Sequence, residues 1–317
     1  MKSSLRHTLV FSVVTAFFSV PAHSAEFINV LTGGTSGVYY PLGVALSQIY
    51  SKAIPDSKTA VQATKASVEN LNLLQAGRGE AAISLGDSLS DAWRGNEEAS
   101  FKTPLKRLRT IAALYPNYIH LVASADSGIK SLADIKGKRI SVGAPKSGTE
   151  LNSREIIKAA GMSYKDFSRV EYLSYAESVE LLKNRQIDVT LISSGLGVAA
   201  LRDLASSQQV VFIPIPAEIV ARINDSAFQL GIIPAKTYEG QNTEVQSIAV
   251  QNYLVTHEGV STATVYAMTK SMFENIDQMV AAHSAARAIK RENAAKAPPA
   301  PLHPGAEKYY REVGLLK

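Results

Sequence analysis

Short β-type runs alternate along this chain with amphipathic stretches of helical period, the pattern of an α/β fold with largely parallel sheets. Phe27–Leu31 predicts a first strand, followed by the Gly-rich turn Thr32-Gly33-Gly34-Thr35-Ser36-Gly37. A helix then runs from about Val38 to Tyr50, with Pro41 tolerated in its first turn. Val61–Thr64 predicts a second strand. Ser67 is placed to cap a helix carrying Val68, Leu71 and Leu74 on one face. Ala81–Leu85 is the third strand and ends at Gly86-Asp87.

Two apolar runs, Ile111–Tyr115 and Ile119–Ala123, follow, separated by Pro116-Asn117. The same grammar then begins again. Ser131 to Asp134 reads as a capping-box helix start, and Arg139–Val142 as a strand with Ala144-Pro145-Lys146-Ser147-Gly148-Thr149 as its loop. A helix from about Glu150 ends at Gly161, a residue suited to a helix C-terminus. Strands near Glu171–Leu173, Val189–Ile192 and Val210–Ile215 alternate with helices near Glu177–Lys183 and Val198–Leu204. From Ser247 a last strand reaches Val255, and one long helix runs from about Thr262 to Ile276. Ala294–Pro301 is low in complexity and suits an extended strap before a final short helix.

The expected arrangement is two α/β lobes of periplasmic-binding-protein type II, joined by a two-strand hinge with a ligand cleft between them. Lobe one takes residues 26–121 and 247–317, and lobe two residues 122–246. The hinge crossings fall near Tyr118–Ala123 and Ser247–Val255. A ligand would lie where the carboxyl ends of the strands point.

Residues 1–25 change the picture. Lys2 and Arg6 precede an uncharged run from Thr8 to Val20, and Pro21-Ala22-His23-Ser24-Ala25 closes with small residues. That order is the n-region, h-region and cleavage site of a secretory signal, and it implies a periplasmic destination. The run is shorter than the roughly 20 residues a membrane span needs. The chain has 33 Lys+Arg against 28 Asp+Glu, a net charge of +5, which falls to +3 without Lys2 and Arg6. So mild a balance, with no clustered basic run, gives no reason to expect nucleic acid. The absence of cysteine excludes disulfides, thiolate nucleophiles and Cys-zinc sites.

Gly33-Gly34-Thr35-Ser36-Gly37-Val38-Tyr39 is a strand–turn–helix junction that offers free N–H groups and a positive helix end to an anion. It lacks the Lys of a phosphate-binding P-loop and the spacing of a dinucleotide fold. Lys146-Ser147-Gly148-Thr149 repeats it in the second lobe, with Lys146 adding positive potential. One helix terminus contributes at most about 2 kcal/mol, whereas micromolar binding needs about 8 kcal/mol. Two loops closing on one guest come much nearer, which favours a clamshell. Tyr39, Tyr40, Tyr115 and Tyr175 stand near these loops or the hinge, and Asp87 ends a strand where it can hold a ligand amine or cap a helix. His120 reads as a core histidine. The six histidines show no metal spacing and no catalytic triad order is evident, so no enzyme, metal or cofactor is expected.

The stretch from Gly33 to Pro41, Leu114-Tyr115-Pro116, Ile129 to Arg139, Ser147-Gly148-Thr149 and Leu302 to Tyr310 together resemble the TAXI family, the solute-binding subunits of tripartite TRAP transporters. The resemblance implies a small carboxylated solute (glutamate, glutamine, a dicarboxylate or a 2-oxoacid) and docking onto an integral membrane TRAP permease. It places ligand contacts on Gly34, Thr35, Ser36 and Tyr39 in lobe one and on Ser147, Gly148 and Thr149 in lobe two. Asp87 and Tyr115 lie beside the cleft, and Tyr175, Lys146 and Gly195 complete the candidate set. The sequence departs from the family pattern at Leu85-Gly86-Asp87, at Tyr115-Pro116-Asn117, where Glu is usual at the third position, and at Gly195-Leu196-Gly197. The type II fold also serves ABC importers, which keeps that alternative open. A periplasmic enzyme or an envelope interaction protein without a solute are the remaining readings.

Overall fold

The computed structural model describes residues 26–317; the export signal expected in residues 1–25 lies outside them. Ten strands form one sheet in the order β2-β1-β3-β10-β4-β7-β5-β6, with β8 on β4 and β9 on β10. Their ranges are β1 Phe27–Leu31, β2 Lys58–Gln62, β3 Ala81–Leu85, β4 Leu108–Ser124, β5 Arg139–Ser141, β6 Arg169–Glu171, β7 Val189–Ser194, β8 Val210–Ile213, β9 Phe228–Ile233 and β10 Val245–His257. Each half of the sheet has the same plan. β1 lies parallel to β2 and β3 in one, and β5 lies parallel to β6 and β7 in the other.

Two long strands join the halves. β4 pairs antiparallel with β10 along residues 108–118 and with β7 and β8 beyond, while β10 pairs with β3 at one end and β9 at the other. The two apolar runs expected on either side of Pro116-Asn117 are therefore a single strand. Proline supplies no N–H to a ladder, but Pro116 stands opposite Gln251, and the register shifts between Gln251 and Tyr253. A bulge absorbs the missing donor, so the strand continues.

Helices cover both faces. On one face α1 (Tyr39–Ala53), α5 (Tyr175–Lys183), α6 (Ala199–Ser207), α8 (Thr262–Glu274), α9 (Ile276–Ala282) and α10 (Pro304–Glu312) share a core running through both halves, with Leu46, Leu182, Leu201 and Met268 fully buried in it. On the other face the core is split. α2 (Ser67–Gln75) and α3 (Gly86–Arg94) build one cluster with Leu71 and Leu89, and α4 (Gly148–Ala159) and α7 (Ala217–Ile223) another with Ile156 and Ile219. Leu151 of α4 joins the first cluster and Leu85 of β3 the second, so the halves already touch.

The alternating pattern located most elements, and the misses have local causes. α3 was not expected: Gly86-Asp87 reads as a strand end, yet the helix begins there at once. α7 and β9 are short and weakly periodic. The long helix expected to Ile276 breaks at Asn275, whose ψ of 34° leaves helical geometry, and α9 resumes. Ser67 does not cap α2. Ala66 takes that position at φ 72°, ψ −146°, and the Ser67 hydroxyl instead accepts the Leu85 N–H at 3.1 Å. The Ala294–Pro301 strap has no regular element of its own, but Ala294 and Pro301 carbonyls accept N–H groups of β4 at Ala113 and Thr110, both at 2.8 Å.

Leu254, fully buried in β10 between β3 and β4, tests how far the hinge pair supports the whole sheet. Leu254→Ala is expected to lower unfolding free energy by about 2–5 kcal/mol in denaturant titration. A loss below about 1 kcal/mol would show that the site collapses freely and that β10 is not a stabilising centre.

Candidate functional site

Four helices begin at one cavity. Its wall holds Val38 and Tyr39 at the start of α1, Ala66 and Ser67 at the start of α2, Ser147, Gly148 and Thr149 at the start of α4, and Ser174 and Tyr175 at the start of α5. Each pair follows the carboxyl end of a strand, as the parallel topology dictates. The enclosed space is about 110 Å³. α4 and α5 are capped by their own serines, Ser147 accepting Glu150 N–H at 3.1 Å and Ser174 forming a capping box with Glu177. α1 and α2 have no side-chain cap, which leaves first-turn N–H groups without that partner.

Electrostatics points the same way. Among the described residues that line the cavity, Lys65, itself exposed, is the one that carries a cationic side chain, and none carries a carboxylate. Ala66 is held at φ 72°, ψ −146°, a region that costs a residue with a Cβ on the order of 1–3 kcal/mol. The strain sits where α2 is aimed into the cavity.

The floor is a neutral hydrogen-bonded chain that crosses from one half to the other. The Tyr39 hydroxyl donates to Asn252 Oδ1 at 2.5 Å. Asn252 Nδ2 donates to the Tyr115 carbonyl at 2.8 Å and to Asn117 Oδ1 at 2.7 Å. Asn117 Nδ2 donates to the Ser193 carbonyl at 2.8 Å, which also accepts the Tyr175 hydroxyl at 2.6 Å. That hydroxyl's one proton is then committed, so Thr149 Oγ1, 2.7 Å away, is the donor of the remaining bond. Burial pushes the Tyr39 and Tyr115 hydroxyls well above their usual range and Tyr175 up to about 12. The ring of tyrosines stays protonated at any physiological pH. Ser193, a lining residue, has a buried Oγ with no partner among the described residues.

Of the residues expected at the site, Gly34, Tyr39, Ser147, Gly148, Thr149 and Tyr175 line the cavity. The other six do not. Thr35 is exposed, and the Ser36 carbonyl is engaged by Ala200 N–H of α6 at 3.2 Å. The Lys146 side chain is exposed while its carbonyl accepts Glu69 N–H at 3.2 Å. Both of these backbone bonds tie the halves together across the gap. Tyr115 is buried under the floor, and Gly195 gives it room: a Cβ there would stand 3.0 Å from the ring. Asp87 lines a separate groove between α3 and α4, where it accepts Asn152 Nδ2 at 2.6 Å. His120 is a fully buried core histidine between Ile192 O and the Tyr238 hydroxyl; burial pushes its pKa down to about 4.

Sequence reasoning missed Lys65, Ser67, Ser174, Asn252 and Ser193, and singled out Asn117 only as a departure. Ser174 was findable, since Ser174-x-x-Glu177 is a capping box. Asn252, polar within an apolar strand pattern, was the second available signal.

This is the architecture of two-lobed α/β solute-binding proteins. The alkanesulfonate-binding protein of Xanthomonas axonopodis pv. citri, bound to MOPS, shares 13% identity over 86% of this chain and 86% of its own, with a TM-score of 0.51. The binding-protein component of an ABC phosphonate transporter from Pseudomonas aeruginosa shares 13% over 84% and 81%, TM-score 0.52. The ligand-binding component of an ABC-type import system from Staphylococcus aureus, with zinc bound, shares 13% over 92% and 93%, TM-score 0.52. At these identities the likeness concerns the fold. The sequence itself matches the NMT1-like family over residues 30–314, and the chain belongs to that family.

Gly148 offers a direct test of the cleft. A Cβ there would come within 2.6 Å of Leu85 Cδ1 and 2.7 Å of Ser67 Oγ, both from the opposite half. Gly148→Ala is expected to wedge the halves apart, raising the radius of gyration in small-angle scattering with little change in melting temperature. An unchanged radius would mean that the contact is readily relieved and does not control closure.

Proposed function

We propose that this chain is an exported solute receptor that encloses a small carboxylated solute between two lobes and delivers it to a membrane importer. The observation that carries the reading is the meeting of four helix N-termini and Lys65 on one cavity without a carboxylate. Residues 26–121 with 247–317 would form one lobe and residues 122–246 the other, turning on β4 and β10. Residues 1–25 would direct export to the periplasm and be removed. Gly34, Tyr39, Ser147, Gly148, Thr149 and Tyr175, joined by Lys65 and Ser193, would hold the solute. Thr35, Ser36, Lys146, Tyr115 and Gly195 would act through closure or support of the floor.

An ABC-type importer is the partner that the fold neighbours favour, because two of those described serve ABC systems. The TRAP permease of the TAXI resemblance is the second reading, supported by the motifs from Gly33 to Pro41 and Leu302 to Tyr310. An adjacent gene for an ATPase would decide for the first, and one for a large multi-span permease for the second. Among the described lining residues none is His, Asp, Glu or Cys, and the remaining candidate bases are Lys65 and the tyrosines, whose hydroxyls stay protonated.

Native mass spectrometry of freshly purified protein should reveal a co-purified small anion. After refolding to strip it, amino acids, dicarboxylates and 2-oxoacids are screened by melting temperature. A screen in which no carboxylate shifts the transition would sink the carboxylate assignment. A hydrogen bond to a charged group contributes about 1.5–3 kcal/mol, so Lys65→Ala should weaken a solute found this way by about ten- to a hundredfold in calorimetry. Unchanged affinity would remove Lys65 from the site.

A further inference from the structure

The groove between α3 and α4 has no role in the cavity, yet it holds the most unusual carboxyl group of the molecule. Asp87, in the first turn of α3, is 5% exposed, and Asn152, on α4 in the other half, is fully buried. They meet at 2.6 Å through Asp87 Oδ2 and Asn152 Nδ2. The other carboxylate oxygen, Asp87 Oδ1, and the amide oxygen, Asn152 Oδ1, are buried with no hydrogen-bond partner among the described residues. Besides that neutral amide only the Ser88 backbone N–H favours the charged form, so the carboxylate is poorly compensated.

The surroundings make it worse. On α3 itself Asp91 faces the groove and is paired with Arg94 at 3.3 Å. Opposite, α4 carries Arg154, Glu155 and Lys158, but Arg154 is tied to Glu150 at 2.7 Å and to the Glu98 carbonyl. Asp225, in the loop after α7, adds a further negative charge. From α2, Glu69 is turned onto Lys65 N–H; β10 offers only Tyr253, and β3 carries nothing that titrates. Among the described residues no cation pairs with Asp87. Burial, reinforced by Asp91 and Asp225, pushes its pKa from the ordinary 3.8 up to about 7.

We propose that Asp87 and Asn152 form a latch across the cleft that closes by taking up a proton. Parting α3 from α4 opens this contact to water, where Asp87 regains an ordinary carboxyl; bringing them together buries it as the neutral acid. The sign follows from linkage. The closed form binds the proton more tightly, so closure is favoured below pH 7 and that advantage is lost as pH rises through 7. Protonation also gives Asp87 an O–H, which can serve the unpartnered Asn152 Oδ1 after an amide flip. The inference uses the two-lobed closure of the proposed function but neither its solute nor its importer.

The chain has no cysteine, so spin labels can be placed at two exposed positions, Lys102→Cys on one half and Lys165→Cys on the other. Distances between them are measured by pulsed electron spin resonance on refolded, solute-free protein from pH 8 to pH 5.5. The ratio of closed to open forms is expected to rise about 30-fold over that interval. Asp87→Asn, which keeps the shape and cannot titrate, should give a ratio that does not change with pH. Asp87→Ser removes the charge without the amide and should be equally flat, which covers misfolding of the first variant. A wild-type distance that ignores pH, or a variant that follows pH as the wild type does, overturns the latch. Because no solute is present, that result leaves the receptor reading standing; a solute screen without binders would sink the receptor and leave these distances untouched.

Discussion

The antiparallel pairing of β4 with β10 is the constraint from which the rest of the molecule follows. Both strands run through both halves of the one sheet, so its central ladder is also the extended connection that closure must bend. The same ladder supplies the floor of the cavity. Asn117 and Asn252 project from it to meet each other, then reach Tyr39 on one side and Ser193 on the other. Hinge and candidate site are thus one structural object. Asymmetry between the faces follows too: one apolar core continues across the halves, while the opposite core is divided into two clusters that meet through Leu85 and Leu151. A divided core can part at small cost in apolar exposure.

Around that floor the parallel topology does the electrostatic work. Strand ends β1, β2, β5 and β6 lead into α1, α2, α4 and α5, and these helices present their positive ends to one space. Each terminus adds at most about 2 kcal/mol, but four of them with Lys65 exceed what either half offers alone. The floor stays neutral because tyrosine hydroxyls cannot ionise there. A carboxylate where Asn117 stands would neutralise the positive helix ends and repel an anionic guest. The amide keeps the hydrogen bonds and removes the repulsion.

Much of this was legible in the order of residues. The repeated junction Gly-Thr-Ser-Gly followed by Lys-Ser-Gly-Thr placed two of the four helix starts correctly, because glycine and hydroxyl residues at a strand–helix turn have few other uses. The contacts from Ser67, Ser174 and Lys65 were not read, since their turns lack glycine and resemble ordinary caps. Thr35 and Ser36 show the limit of motif spacing: they sit in the right loop, yet Gly37 N–H turns back onto Gly34 O at 3.0 Å and aims them away from the cavity. Asp87 failed for a different reason. At a strand end it looks like a cleft residue, but α3 starts at Gly86 and swings the carboxyl to the opposite edge of the gap.

That displacement gives the interface two edges of opposite character. At one, Lys65 and helix N-termini favour negative charge on a guest. At the other, Asp87, Asp91 and Asp225 gather negative charge of the protein's own against Asn152. Closing the gap therefore desolvates an anion in each place, and only the first is compensated by helix ends and a lysine. The uncompensated edge sets a resistance to empty closure, which either an enclosed anion at the first edge or a proton at the second would offset. On the proposed reading recognition and locking are separate: the solute's charge would be read where the helices begin, and the lobes' readiness to stay shut would be set where Asp87 meets Asn152.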